Sequence, residues 1–270
     1  PYKIKNILKT NTNVGILLMK IGFIGTGKIA NSCIRALVGR GYSIKITERN
    51  KEISNRLASE FDDVNVASPQ EVVDESDVIF LAIMEDITEN LLSSIVFKKG
   101  QTIISFILGI NLQRLKTLCK PARDIAITIP LPMIENGRCP LPVYPGNNRL
   151  LELFGSENLI IELSTEAELT PFFAATAVLS SSLAQLEVAK KWLEEHLDSP
   201  EKAESYLISL MAGTYSGMKK DGLGRINQEL NSLATEGGLN AQLRNYMKNE
   251  GTEDALYNGL SQLGKRLNIN

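Results

Sequence analysis

A glycine-rich turn between an apolar strand and an amphipathic helix is the feature that most constrains this chain. The turn, Gly25-Thr26-Gly27-Lys28-Ile29-Ala30, has the pattern G-x-G-x-x-A and follows the apolar strand Met19–Ile24. Gly25 permits the tight turn, Gly27 lets a ligand approach the backbone, and Ala30 lets the helix pack closely on the strand. Amides at the start of that helix can hold an anion, and the helix dipole favours negative charge there. The turn therefore predicts that residues 25–30 bind the pyrophosphate of a dinucleotide.

The end of the second predicted strand, Tyr42–Thr47, bears on which nicotinamide cofactor binds. Glu48 can accept hydrogen bonds from a ribose 2′-hydroxyl, which favours NAD. Arg49 can clasp a 2′-phosphate instead, with Asn50 assisting, which favours NADP. Because both residue types follow the strand, the sequence leaves the choice between NAD and NADP open. A solvated Arg49 beside the adenine is a further alternative.

Strands and helices continue to alternate as far as about residue 164. The further predicted strands are Val64–Ala67, Val78–Ile83, Thr102–Phe106, Asp124–Ile129 and Leu159–Glu162, and the predicted helices are Pro69–Glu75, Thr88–Phe97, Leu112–Cys119 and Arg149–Phe154. Apolar strands alternating with helices predict an α/β fold, a Rossmann-type doubly wound parallel sheet covered on both faces. Ligands bind beyond the carboxyl ends of such strands. The rim predicted to face the cofactor therefore includes Ala82, Ile83, Met84, the segment Ile107–Gly109 and Pro130.

Five prolines lie between Ile129 and Pro145. They remove amide donors and restrict the backbone, so a regular helix is excluded there. We therefore expect an ordered loop along the active cleft, with a surface loop that contacts no ligand as the alternative.

From Thr165 the pattern changes from strands to helices, which predicts a domain boundary. The chain is accordingly divided into an extension (1–18) that we expect to be poorly ordered, a dinucleotide-binding domain (19–164) and an all-α domain (165–270). The predicted helices of the last domain are Phe172–Leu197, Pro200–Met218, Leu223–Leu233, Leu239–Asn249 and Thr252–Arg266. Faces of small residues, such as Ser180–Ser182, favour close packing against a second copy of the chain.

Two adjacent glycines, Gly237 and Gly238, separate two of these predicted helices. A helix cap followed by a turn explains them structurally. The functional alternative is that exposed amides at the start of the next helix hold a small carboxylate.

Charge and the rare residue types exclude several classes of function. The net charge of −2 and a pI near 5.7 indicate no basic surface for nucleic acid or a membrane, and no apolar run reaches the roughly 18 residues that span a bilayer. The three cysteines, Cys33, Cys119 and Cys139, are odd in number and far apart, which favours a reducing compartment. Residues 1–18 lack the long apolar centre and the cleavage site of a signal peptide, so we expect a cytoplasmic location. A single histidine, His196, excludes a zinc site of several imidazoles and any Ser-His-Asp triad without it. We predict no metal site.

Three parts of the chain together resemble the pyrroline-5-carboxylate reductase family. They are the segment Met19–Ala30, the helical second half, and Thr235–Asn240, where the family has Ser-Pro-Gly-Gly-Thr-Thr. In addition, Ser105–Ile110 is similar to the family's Ser-x-Ala-Ala-Gly-Val segment. The resemblance covers about Met19–Arg266 and implies an NAD(P)H-dependent reductase of a small cyclic imine. In that family the reaction converts pyrroline-5-carboxylate to proline, and the helical domains intertwine in a homodimer.

The resemblance also implies where the substrate binds. It would lie between the nicotinamide and the glycine pair, in contact with Gly237, Gly238, Leu239 and Asn240 of the second half and with Pro130 of the first. The Asn240 side-chain amide is the first candidate for a catalytic group. The Ser182 hydroxyl, near the imine nitrogen, is the second, although core packing explains Ser182 equally well.

The chain departs from the family pattern at three places, which keeps other functions open. Ala82–Glu85 stands where the family has Ala-Val-Lys-Pro, Ile129–Pro132 replaces Met-Pro-Asn-Thr-Pro, and Glu236 and Asn240 replace a proline and a threonine. A reductase of a different imine or keto acid is one alternative, and a non-catalytic NAD(P)-binding sensor or assembly protein is another. A β-hydroxyacid dehydrogenase is disfavoured because no lysine lies between Thr170 and Gln185.

Overall fold

The structure, a computed structural model, describes residues 19–48, 51–219, 221–235 and 237–269. The predicted extension 1–18 and the predicted roles of Arg49, Asn50 and Glu236 lie outside the described residues. The chain divides into two compact units between Leu169 and Thr170. Each unit is described by itself.

One eight-stranded sheet forms the centre of the first unit. Its strands are β1 (Lys20–Ile24), β2 (Ser43–Thr47), β3 (Val64–Ala67), β4 (Val78–Leu81), β5 (Thr102–Ser105), β6 (Asp124–Thr128), β7 (Pro140–Tyr144) and β8 (Leu159–Glu162), in the order β3-β2-β1-β4-β5-β6-β7-β8. Strands β1 to β6 are parallel, whereas β7 runs antiparallel to β6 and carries β8 parallel to itself. This mostly parallel sheet confirms the predicted doubly wound fold.

Six α-helices accompany the sheet within the described part of this unit. They are α1 (Lys28–Leu37), α2 (Lys51–Glu60), α3 (Pro69–Asp74), α4 (Glu85–Ser93), α5 (Leu112–Leu118) and α6 (Asn148–Phe154). Our sequence analysis missed α2, because that helix is largely polar and buries only Ser54 and Leu57. It also placed the start of α4 at Thr88, three residues after its observed start at Glu85.

The proline-rich segment is not the loop that we predicted. It contains a short 3-10 helix, Pro132–Asn136, and then strand β7. Only Val143 and Tyr144 of β7 pair with β6, so the earlier prolines are not required to donate amides to that neighbour. The Pro142 carbonyl instead accepts a hydrogen bond of 2.8 Å from the Thr128 hydroxyl. A strand with two prolines is therefore compatible with this position in the sheet.

Two hydrophobic clusters cover the two faces of the sheet. Phe80 of β4 points into one cluster, where its ring stacks on Phe23 with the centroids 4.6 Å apart. Its neighbours Ile79 and Leu81 point into the other cluster. Because alternate residues of one strand are buried on opposite faces, β4 reads as a continuous apolar run.

Helices alone make up the second unit as far as it is described. They are α7 (Leu169–Ala175), which crosses the boundary, α8 (Val178–Glu194), α9 (Pro200–Gly217), α10 (Arg225–Ser232), α11 (Leu239–Asn249) and α12 (Thr252–Arg266). The bounds predicted for α11 and α12 are confirmed to the residue, whereas the predicted helix Phe172–Leu197 is divided into α7 and α8. Within the described residues of this unit, Ala203 is the only one that is buried. Many large apolar side chains are exposed instead, up to complete exposure at Leu223.

One stretch, Glu166–Glu194, is apolar and long enough to cross a membrane by length and composition alone. Of its apolar 18-residue part, 6% is buried. This corrects our expectation that no segment reaches such a length. The prediction overlooked the stretch because alanines and serines interrupt any continuous run of large apolar residues.

Candidate active site

The carboxyl ends of β1 and β4 bring two loops into direct contact. Gly25 follows β1 with a φ of +102°, a left-handed conformation that favours glycine. A Cβ at this position would collide with the Ala82 carbonyl oxygen and lie 3.1 Å from Ile83 Cγ2. The absence of a side chain at Gly25 therefore allows the turn after β1 to pack against the loop after β4.

The start of α1 is arranged to accept an anion. Its cap residue, Gly27, supplies no side-chain hydrogen bond to the helix, and the first turn contains no acidic residue. Apart from its two chain neighbours, no atom of the described residues lies within 4 Å of a Cβ built on Gly27, so these residues leave the space beside the cap open. The amides of the first turn therefore lie at the positive end of the helix dipole, where a ligand can reach them.

One amide of the predicted cradle has a different role. The Gly25 N–H, which we assigned to the phosphate, donates a hydrogen bond of 2.8 Å to the Thr47 hydroxyl instead. That bond ties the glycine turn to the end of β2. The donors for a phosphate must therefore come from the residues that follow Gly25, which are those at the start of α1.

A cavity of about 640 Å³ lies next to this turn. It is lined by Ile24, Gly25, Thr47, Glu48, Val66, Ala67, Ser68, Pro69, Ile83, Ile87 and Leu91. Most of these side chains are apolar, and Glu48, which forms an ion pair of 3.5 Å with Lys51, adds a carboxylate. Apolar walls with a few polar groups suit an adenine ring and its ribose.

Our site prediction included Gly25, Glu48 and Ile83 but missed the lining residues at the ends of β1, β2 and β3, at the start of α3 and in α4. The strand order accounts for these residues, because β3 lies beside β2 and is parallel to it. The carboxyl end of β3 therefore lies on the same edge of the sheet as that of β2. The missed lining residues are Ile24, Thr47, Val66, Ala67, Ser68, Pro69, Ile87 and Leu91.

The neighbouring part of the rim is formed by the loops after β4 and β5. Met84, which we predicted at the cofactor, is 55% exposed there. The Ser105 side chain is buried, and its hydroxyl accepts a hydrogen bond of 3.1 Å from the Ile107 amide. The Glu85 carboxylate occupies the space that a side chain at Gly109 would fill. Pro130, beyond the end of β6, is buried.

The glycine pair lies in the second unit, at the start of α11. Gly237 has a φ of +74°, and its carbonyl accepts a hydrogen bond of 3.0 Å from the Gln242 side chain. Gly238 caps α11 without a side-chain hydrogen bond. Leu239, the first residue of the helix, is 84% exposed. The predicted turn is confirmed, but the glycine pair does not cap the preceding helix: the C-cap of α10 is Leu233, and Gly238 is the N-cap of α11. The amides of the first turn of α11 have no side-chain cap.

Asn240 faces a second cavity, of about 460 Å³, within this unit. Its lining residues are Gln185, Met211, Leu230, Leu233, Asn240, Leu243, Arg244, Met247, Lys248, Thr252 and Glu253. Ser182 lies on α8 one turn before Gln185 and is half-buried, but it is not among the residues that line the cavity. The two candidate catalytic residues are therefore not brought together by this cavity.

The cysteines and the histidine are outside the site. Cys33, Cys119 and Cys139 are buried free thiols, and burial raises the pKa of each, to about 12 for Cys119. His196 lies just beyond α8, where its ring contacts Trp192 and its Nδ1 is 2.8 Å from the Trp192 carbonyl oxygen. No cluster of potential metal ligands occurs among the described residues.

Comparisons with known proteins address the whole fold. A family model described as NADP oxidoreductase, coenzyme F420-dependent, matches residues 20–109. Pyrroline-5-carboxylate reductase from Streptococcus pyogenes superposes with a TM-score of 0.75 at 22% identity, covering 93% of this chain and 98% of that one. Pyrroline carboxylate reductase from Plasmodium falciparum, with NADP bound, gives a TM-score of 0.75 at 16% identity over 92% and 97%.

This chain has the fold of pyrroline-5-carboxylate reductases. A reductive aminase from Aspergillus terreus, in complex with NADPH and ethyl-5-oxohexanoate, is similar at a lower TM-score of 0.56, with 15% identity over 94% of this chain and 88% of that one. A search of curated proteins found no match. The resemblance drawn from the sequence is confirmed for the fold.

Within this fold the predicted residues fall into two groups. The first unit contains Pro130 and the residues that we predicted to bind the dinucleotide, which are Gly25, Thr26, Gly27, Lys28, Ile29, Glu48, Ala82, Ile83 and Met84. The second unit holds Ser182 and Gly237–Asn240.

Proposed function

We propose that this protein is an NAD(P)H-dependent oxidoreductase that reduces a small cyclic imine. The observation that carries the proposal is the uncapped start of α1, open at Gly27, beside a largely apolar cavity on the carboxyl edge of a parallel sheet. The first turn of α1 would hold the pyrophosphate, and the cavity would hold the adenosine.

The cofactor is NADP or NAD, and the residues present fit either. The Glu48 carboxylate on the cavity wall supports hydrogen bonding to a ribose 2′-hydroxyl. The NADP and NADPH complexes of the structural neighbours support NADP. When bound, the reduced nicotinamide would supply a hydride to the carbon of the protonated imine; the C=N π electrons would become the nitrogen lone pair of the neutral amine, and the nicotinamide would be left oxidised.

The proposed substrate-binding residues are those that the family resemblance implies. Gly237, Gly238 and Leu239 would offer backbone polar groups, and the Asn240 amide would orient the imine as the catalytic group. Ser182 is the second catalytic candidate, and Pro130 is a further proposed substrate contact. Pyrroline-5-carboxylate, which is reduced to proline in the family that the chain resembles, is the substrate with which other imines are compared.

We further propose that the chain forms a homodimer through the helical domain. The support is the near absence of buried residues in the second unit, where Ala203 is the only one among those described. An isolated unit with large apolar side chains exposed is expected to be unstable, and a second copy that covers them would supply a core. We place the dimer in the cytoplasm, without a membrane or nucleic-acid partner, on the grounds of its charge and free cysteines.

The direct test is turnover by the purified protein. We expect oxidation of NADH or NADPH, followed at 340 nm, on addition of pyrroline-5-carboxylate or 1-pyrroline. Cofactor binding without turnover across a panel of imines and keto acids would contradict the reductase proposal and support the sensor alternative.

The choice of cofactor is tested by Glu48→Gln. If the Glu48 carboxylate selects NAD, its removal weakens NADH binding about threefold to tenfold and leaves NADPH binding unchanged or stronger. Glu52→Gln is the matched control, because Glu52 is an exposed acid of the nearby helix α2 that does not line the cavity. Equal effects of the two substitutions on calorimetric affinity would remove Glu48 from the site.

A further inference from the structure

One acidic side chain connects two loops of the rim. Glu85 is the first residue of α4, shortly after β4, and its carboxylate lies directly against Gly109 in the loop after β5. Strands β4 and β5 are parallel neighbours, with Leu81 opposite Ser105 at their carboxyl ends. The carboxylate therefore lies at the ligand-binding edge of the sheet, on the two loops that follow the central strands.

No cation in the described part of the chain compensates the negative charge of Glu85. Among the described residues, Glu85 forms no ion pair and no hydrogen bond, whereas Glu89, one turn later in α4, receives a hydrogen bond of 2.6 Å from Arg114 Nε. Glu85 is exposed on the rim, and the exposed acid Asp86 lies beside it in the sequence. An exposed carboxylate that pairs with no cation of the described residues is available to pair with a cationic ligand.

A favourable interaction with the helix dipole accounts for an acid in the first turn of α4, but it does not account for the contact with Gly109. Asp86, the adjacent residue, shares the same turn and the same dipole. The three atoms nearest to a Cβ at Gly109 all belong to Glu85. A comparison of substitutions at Glu85 and Asp86 therefore separates the effect of the helix dipole from the effect of the position of Glu85 against Gly109.

We propose that Glu85 makes this site selective for protonated imines that carry no carboxylate of their own. This inference rests on the proposed function. A protonated C=N group is a cation and the form that accepts hydride, so an adjacent carboxylate favours both its binding and its protonated state. The same carboxylate repels an anionic substituent, so pyrroline-5-carboxylate is the poorer substrate and 1-pyrroline the better one.

The experiment compares Glu85→Gln with Asp86→Asn in the full chain. Steady-state kinetics give kcat/KM for 1-pyrroline and for pyrroline-5-carboxylate. Calorimetry, which needs no turnover, gives the affinity of the NADP⁺-loaded protein for pyrrolidine, a cation at neutral pH, and for proline, which has a carboxylate. Both variants change an exposed acid in the same helical turn, so we expect equal thermal stabilities.

The expected result is a change in selectivity confined to Glu85→Gln. We expect kcat/KM for 1-pyrroline and the affinity for pyrrolidine to fall about fivefold, as for a solvent-exposed ion pair, while the values for the carboxylate compounds stay equal or rise. Asp86→Asn should leave all four values unchanged.

The contrary results separate this inference from the proposed function. If the wild type reduces imines but Glu85→Gln affects both substrates equally or neither, or Asp86→Asn has the same effect, the role of Glu85 is wrong and the reductase assignment remains. If the wild type reduces no imine, the proposed function fails, and the role of Glu85 fails with it.

Discussion

A carboxylate placed at the cap of α1 is expected to stabilise the protein while it blocks the dinucleotide. In Gly27→Asp the new side chain enters space that the described part of the chain leaves open, since only the chain neighbours of Gly27 come within 4 Å of a Cβ at that position. The backbone of Gly27 has a φ of −69° and a ψ of 178°, which any residue adopts without strain. Aspartate is a preferred cap residue, since its carboxylate accepts hydrogen bonds from the first helical amides.

The two effects have opposite signs, and both magnitudes follow from the geometry. Replacing a glycine cap by aspartate contributes a few tenths of a kcal/mol, and the charge at the helix start adds about 0.3–1 kcal/mol to the free energy of unfolding. A phosphate about 4 Å from the new carboxylate is repelled by about 4 kcal/mol at an effective dielectric constant of 20. Halving that value, because Gly27 is exposed, leaves about 2 kcal/mol, or a Kd raised about thirtyfold.

Two assays on the same variant test this reasoning. Urea unfolding should give a higher midpoint for Gly27→Asp, and calorimetric titration should give a raised Kd for both NADH and NADPH. Gly27→Ala is the control, since it adds a methyl group without charge and without a cap hydrogen bond. Unchanged cofactor affinity in Gly27→Asp would refute the phosphate site at α1, and a loss of stability would refute the open cap.

Three further predictions concern burial, acid stability and assembly. Because burial raises the pKa of all three cysteines, to about 12 for Cys119, a thiol reagent at pH 8 should label none of them in the native protein and all of them in denaturant. The hydrogen bond from the Arg35 guanidinium lowers the pKa of Glu60 below its ordinary value of 4.5. The stability that this pair contributes should therefore be lost as the pH falls through the lowered pKa. In urea unfolding between pH 3 and 6, the free energy of unfolding of Glu60→Gln should fall less with decreasing pH than that of the wild type. In light scattering the wild type should be a dimer and Ile226→Glu, at a position 77% exposed in the single chain, should be a monomer, whereas a monomeric wild type would contradict the homodimer.

The sequence was sufficient wherever local pattern and local chemistry coincide. The glycine turn at Gly25–Ala30 predicted a strand, a tight turn and a helix, and the structure has all three. The same holds for α11 and α12, whose glycine breaks and apolar spacing mark both ends. Where a pattern was weak, as in the polar helix α2, or conflicted with a rule, as in the proline-containing strand β7, the prediction failed.

By itself the sequence determined the Rossmann-type fold, the position of the dinucleotide turn and the change to helices in the second half, because periodicity and backbone propensity act between residues that are close in the chain. Only the tertiary structure decided that Thr47 takes the Gly25 amide, that Glu85 lies against Gly109, and that the second unit buries almost nothing of its own. These facts depend on the order of strands in the sheet and on the packing of helices that are distant in sequence. Contacts of that kind leave no local pattern from which they could have been predicted.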